Sequence, residues 1–316
     1  MFKYIVRRTM ATTFTLIGIS VVVFLLIRIA PGDIIDTMLG IYTIRTPELI
    51  AEMEKFFGLD KPLYIQYFYW LGDILQGDLG SSWRTNKPVI DLLKESLPVT
   101  LELTSLAMFI TVLIGVPVGV ISALKRDKLF DNVARIFSFA ALGLPNFWQA
   151  AMMILVASLL FNWFPPLSFV TIFEDPKESL ELMILPAIAL GTVNIANVVR
   201  LTRSAMLEEM PKDYIRTARS KGLKERAVIW GHALRNALIS IITIIGLMVG
   251  YMLGGAVTVE AVFTLPGIGR LILWSIYQRD YPVTQAVLLL TCTFFVLINF
   301  IVDILYGVIN PQIRYD

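Results

Sequence analysis

Apolar positions along the chain fall into six blocks, about 9–30, 97–122, 136–162, 182–199, 236–258 and 284–309, separated by more polar stretches. Near 20 residues each, at 1.5 Å rise per residue, they suit a hydrocarbon core ~30 Å thick. The pattern predicts an all-α polytopic membrane protein with six transmembrane helices. The fourth block is the shortest and is expected to gain a turn at one end. The first follows Lys3, Arg7 and Arg8, as a signal peptide would. Its apolar run from Thr9 to Ile27 is longer than a signal core, and PGD rather than a small-x-small site follows it. It reads as an uncleaved membrane helix.

Composition agrees: 56% of residues are hydrophobic, 16% are charged, and mean hydropathy is +0.71, outside the range of ordinary soluble domains. The net charge of +2 matters less than where the basic residues sit. If the N-terminus is cytoplasmic, segments 1–8, 123–135, 200–235 and 310–316 share that side. They hold 17 of the 27 Lys and Arg in only 64 residues. The 163–181 connection on the opposite side carries Glu174, Asp175, Glu178 and Glu181. The positive-inside rule then puts both termini in the cytoplasm. Cys292, the one cysteine, allows no intramolecular disulfide and reads as a small buried residue.

The expected organisation is a first helix (1–30), an external cap (31–96), a membrane core (97–309) and a short cytoplasmic tail (310–316). Within the cap, 46–58 reads as a short helix with Thr46 as N-cap, Pro47 at its first position and Gly58 as its stop. The stretch 64–75 reads as an aromatic-rich amphipathic helix at the membrane interface, and 77–83 as a turn. Gly246, Gly250 and Gly254 share one helix face, where small residues permit close backbone approach, within this chain or against a partner. Gly115 and Gly119 flank Pro117 in the second block. Pro145 is expected to kink or open the third.

The chemical inventory argues against an enzyme. One histidine excludes HExxH and His-based metal clusters, and neither GxSxG nor a GxxxxGK[ST] phosphate loop is present. Asp33 and Asp36 read as solvated loop carboxylates. A channel or proton-coupled carrier is the rival from another class, since intramembrane ionisable groups are costly and mark pathways. Asp303, with Asn299 and Tyr306 on its face, is the deep candidate. Asn194, Asn197 and Arg200 form a second polar row, and Glu102 lies near the outer end of the second block. Interhelical hydrogen bonding and a polar translocation path both account for these residues.

The most polar stretch near the centre is DYIRTARSKGLKERAVIWGHALRNA, 213–237, with six Lys or Arg and the single histidine. Pro211 suits a first helical position, and Gly222 a left-handed stop before a second helix leads into the fifth block. This predicts a helix–glycine–helix elbow at 211–235. Ile215, Ala218, Leu223, Ala227 and Val228, mixed with charge, suit a docking element that puts small and apolar residues into a groove. RTARSKG (216–222) resembles the EAAxxxG signature of ABC-importer permeases, with Arg216, Thr217 and Ala218 in the EAA places and Gly222 as its glycine. HALR (232–235) stands where that signature has I-x-L-P and keeps Leu234. Together with FGLDKPLYIQY, GDLGSSW, FTLPGIGRL, RDYPV and VDILYGVINPQIR, these stretches are similar to the dipeptide/oligopeptide/nickel permease family, in particular its first permease subunit.

The resemblance implies a type I ABC importer fold in a prokaryotic cell membrane, as half of a heterodimer with a second permease subunit. Two ATPase subunits, which would hold ATP and Mg²⁺, and an external solute-binding protein complete the assembly; no nucleic acid is implied. Coupling to the ATPase falls to Tyr214, Arg216, Thr217, Ala218, Lys221, Gly222, Leu223, Lys224 and Leu234. Glu102, Asn194, Asn197, Asn299 and Asp303 are the path candidates. Peptide is the expected cargo, with nickel chelates, glutathione and oligosaccharides as alternatives. The lone histidine argues against ligation of a bare soft metal.

Overall fold

The computed structural model describes residues 2–29, 46, 55, 60–165 and 169–309. Ten helices carry the described chain: α1 Phe2–Ile29, α2 Leu63–Leu75, α3 Val89–Leu124, α4 Leu129–Gly143, α5 Asn146–Phe161, α6 Pro176–Glu209, α7 Asp213–Ser220, α8 Leu234–Phe263, α9 Ile268–Tyr277 and α10 Tyr281–Ile309. A single α-turn, Glu225–Ala227, and a π-helical turn, Val228–Ala233, run directly into α8. The sequence gives no warning of that π-turn. Apart from residues 46 and 55, the expected helix at 46–58 lies outside the described residues, as do Asp33, Asp36 and the 310–316 tail.

Among the described residues five helices (α1, α3, α6, α8 and α10) are long and apolar enough to cross a membrane. The third apolar block is not one straight span. It divides into α4 and α5, bent by 110° at Leu144–Pro145, and the pair together can serve as a sixth span. Proline cannot donate the helical hydrogen bond and disfavours helix in the residue before it; Leu144 is accordingly extended.

Two helices outrun their apolar blocks. α3 begins at Val89, inside the expected cap, because Asp91, Lys94 and Glu95 lower hydropathy without opposing helix, while Val89 and Leu93 are buried against Ile268, Val283 and Val287. α6 begins at Pro176, where Asp175 accepts from the N–H groups of Lys177 and Glu178, and continues to Glu209. The acidic residues of 163–181 thus partly build a helix N-terminus, where negative charge is favoured.

α3 and α6 form the central pair. A Cβ at Gly115 would lie 2.8 Å from Val198, and one at Gly119 2.6 Å from Thr202, so only glycine permits this approach. Gly246 and Gly250 likewise face Val302 and Phe295 of α10, at 2.6 and 2.8 Å from an added Cβ. That contact is within the chain. Gly254 does not share it: nothing lies within 4 Å of its added Cβ, and the neighbouring Gly255 instead meets Leu190. Three glycines four apart drift round a helix of 3.6 residues per turn, and α10 covers only two of them.

α2 lies against the C-terminal part of α1. The Tyr67 hydroxyl and Ser20 Oγ are 2.8 Å apart, Arg28 donates to Gln66 at 3.0 Å, and Phe24 packs on the rings of Tyr67 and Trp70.

Candidate functional site: the elbow and the polar residues of the helices

The elbow is a left-handed glycine turn between two helical pieces. Gly222 has φ +77°, its N–H donates to Arg219 O at 2.9 Å, and the Leu223 N–H reaches Ala218 O at 3.4 Å. These are the paired 5→2 and 6→1 bonds of a Schellman motif. Pro211 is not the first helical residue, as the sequence suggests; it sits in the turn before α7, whose N-cap is Lys212.

Ile215 and Ala218 are buried, packed with Val116, Val120, Val198, Met206 and Val228. Leu234 is buried in the same cluster. The expectation that Ala218 enters a partner's groove is therefore corrected. In this eight-residue helix, packed on the π-turn that leads into α8, the small and apolar face anchors the elbow to its own chain. Arg216, Thr217, Lys221, Gly222, Leu223 and Lys224 remain exposed. Leu223 is the apolar member of that set.

Ion pairs stiffen the elbow. Arg219 grips Glu225 with bonds of 3.1 and 2.7 Å across the turn, and that guanidinium lowers the Glu225 carboxyl from its ordinary value. Half-buried Tyr214 donates to Glu209 at 2.6 Å, and burial, then the neighbouring carboxylate, pushes its phenol up.

Each path candidate has its own setting. Glu102 accepts from the Ser179 hydroxyl and from the Ile172 N–H at 3.2 Å, tying α3 to the start of α6 beside a cavity of about 640 Å³. Asn194 donates to Leu190 O of its own helix at 3.2 Å, and Asn197 is half-buried on α6. Asn299 is half-buried on α10. Asp303 is paired with Arg8, joining the last helix to the first. For Glu102 and Asp303 the interhelical reading is the one the contacts show. Among the described residues no three His, Cys, Asp or Glu side chains converge as metal ligands.

Three fully buried carboxylates escape a reading based on apolar blocks. Asp131 receives Arg203 through two bonds of 2.7 and 2.8 Å, plus Ser122 Oγ and the Asp127 N–H. Asp280 receives the Ser82 hydroxyl and the Trp83 N–H. Glu260 receives Thr100 Oγ1 at 2.6 Å and the Arg270 N–H at 3.1 Å. Asp280 stands within RDYPV and Glu260 just before FTLPGIGRL, so those two motifs are the one sequence signal near them.

The family described as "Binding-protein-dependent transport system inner membrane component" matches residues 115–315, and its N-terminal companion family matches residues 1–104. The chain belongs to that family. It is a permease subunit of the ABC-transporter class, and its relatives match end to end. It is 42% identical to the di/tripeptide transport system permease protein DppB of Pseudomonas aeruginosa, over 100% of both chains. Identity is 40%, again over 100% of both, to the dipeptide permease DppB of Alkalihalophilus pseudofirmus and the oligopeptide permease AppB of Bacillus subtilis. Among solved structures, the inward-facing MetNI methionine ABC transporter aligns at TM-score 0.58 and 21% identity, covering 70% of this chain and 97% of that one. The permease therefore has the type I ABC importer fold, here with α10 held to α1 by the Arg8–Asp303 pair.

Proposed function

We propose that this permease forms half of the membrane pathway of an ATP-driven importer of di- or oligopeptides. Full-length identity of 42% to a di/tripeptide permease is the observation that carries the substrate class. In this reading a second permease subunit completes the pathway and an external binding protein delivers the peptide. Two ATPase subunits, holding ATP and Mg²⁺, dock on the exposed rim of the elbow from Arg216 to Lys224. Both termini face the cytoplasm with that rim, because 17 of 27 basic residues fall on the side it occupies. The geometry supports the docking role: the elbow is anchored by Ile215 and Ala218, so a push on its rim moves α3, α6 and α8 rather than a loose loop.

Mass spectrometry of the solute retained by the cognate binding protein tests the substrate. Di- or oligopeptide is expected. A nickel chelate, glutathione or an oligosaccharide would replace the peptide reading and leave the importer architecture standing.

A further inference from the structure

The start of α9 is held by other helices. Its N-cap is Gly267, which has no side chain to offer, yet the first N–H groups of a helix need acceptors. Ile268 N–H donates to Thr100 Oγ1 of α3 at 2.8 Å. The Arg270 N–H donates to the Glu260 carboxylate of α8 at 3.1 Å. Thr100 passes its own proton to Glu260 at 2.6 Å, closing a ring over three helices. A Cβ at Gly267 would overlap the Glu260 carboxyl, and one at Gly269 would overlap the Val257 backbone. Of the two glycines of PGIG, Gly267 makes room for the carboxylate and Gly269 for the α8 backbone.

Glu260 also occupies a particular place on α8. At its other end this helix continues through the π-turn into the elbow, and its 30 residues span about 45 Å. The elbow is at one end of the rod and Glu260 is in the last turn at the other. Because the carboxylate is fully buried, sliding α8 against α3 or α9 would strip its donors in an apolar setting, which is costly. Moving the three helices together keeps every bond.

We propose that Glu260 is a positioning residue that transmits movement of the cytoplasmic elbow to the outer ends of α3 and α9. The inference rests on the importer reading above. Each hydrogen-bond partner of the carboxylate donates, so Glu260→Gln keeps the shape but sets an amide N–H₂ against a donor. Thr100→Val keeps the carboxylate and removes the link to α3. In the complete transporter reconstituted in lipid, wild type should show ATPase activity stimulated by peptide-loaded binding protein. Both variants should bring the stimulated-to-basal ratio close to one and lower peptide uptake per ATP hydrolysed, and the double variant should be no worse than the stronger single one. Asp280→Asn, which disturbs an equally buried carboxylate off the α8 rod, should lower thermal stability while keeping the ratio. If Glu260→Gln does not assemble, Thr100→Val carries the test. Unchanged ratios in the assembled variants overturn the proposal, as does an equal loss in Asp280→Asn. Absence of stimulation in wild type would overturn the importer reading instead.

Discussion

Ser82 and Asp280 lie 198 positions apart, and the hydroxyl of the first donates to the fully buried carboxylate of the second. The Trp83 N–H adds a bond of 3.2 Å, Arg84 donates to Gln278 O at 2.7 Å, and the Trp83 ring meets that of Tyr281 edge-on at 5.6 Å. The turn before α3 is thereby fastened to the start of α10. Ser82→Ala should remove one donor from a buried carboxylate and cost about 1–3 kcal/mol. Asp280→Ala should cost more, because it removes the acceptor of both the Ser82 hydroxyl and the Trp83 N–H. Thermal unfolding of the purified permease checks both, and equal melting temperatures for wild type and Asp280→Ala would contradict the account.

The second buried carboxylate sits at the start of α4. Arg203, largely buried, meets fully buried Asp131 side-on. Removing one partner of such a pair leaves an uncompensated charge and costs about 3–5 kcal/mol, whereas replacing both with apolar residues is often neutral. Asp131→Ala should sharply lower the yield of folded permease, and Asp131→Leu with Arg203→Met should recover most of it. A double variant no better than Asp131→Ala would show that the other bonds of Asp131, from Ser122 and the Asp127 N–H, dominate.

On α8, the glycines rank by what faces them. Gly246→Ala and Gly250→Ala should each destabilise by about 1–3 kcal/mol through overpacking on Val302 and Phe295. Gly254→Ala meets nothing and should be neutral or slightly stabilising, since alanine favours helix. Melting temperatures in that order are expected, and a loss at Gly254 equal to that at Gly246 would show that something outside this chain packs there.

These cases show what was legible. Hydropathy blocks located the membrane helices because spanning the core demands long apolar runs, and Gly222 was readable as a left-handed stop. The ends of α3 and α6 were not, because polar residues such as Asp91 and Glu208 continue a helix into water without an apolar signal. Asp131, Asp280 and Glu260 were also hidden. Their environment depends on partners 4 to 198 positions away, and a carboxylate beside an apolar run looks the same whether solvated or enclosed. The burial of Ala218 was missed for a related reason: an amphipathic elbow says which face is apolar, but not whether its own chain or a partner covers it.

Topology can be tested directly. With Cys292→Ser as background, single cysteines at the exposed positions Ser81 and Ser220 should label from opposite sides of the membrane with an impermeant reagent. Labelling from the same side would refute the orientation drawn from the basic residues.

The elbow itself gives the sharpest contrast. An added Cβ at Gly222 meets nothing within 4 Å, so any penalty comes from the backbone, whose φ of +77° disfavours side chains by at least ~1 kcal/mol. A β-branched residue suffers most, while asparagine tolerates the left-handed region. Gly222→Val should therefore assemble in the membrane but turn the chain after Ser220, displacing Leu223 and Lys224 from the rim. Peptide uptake and stimulated ATPase activity should fall, with Gly222→Asn retaining more of both. Leu223→Ala separates shape from contact, because it keeps the turn and removes the exposed apolar side chain. It should weaken ATPase association in pull-downs while leaving the permease as stable as wild type. Ala218→Ser, placed in the buried face, should do the reverse and lower stability before association. If Gly222→Val and Gly222→Asn both transport normally, the turn geometry is not what the ATPase reads, and the docking surface lies elsewhere on the cytoplasmic side.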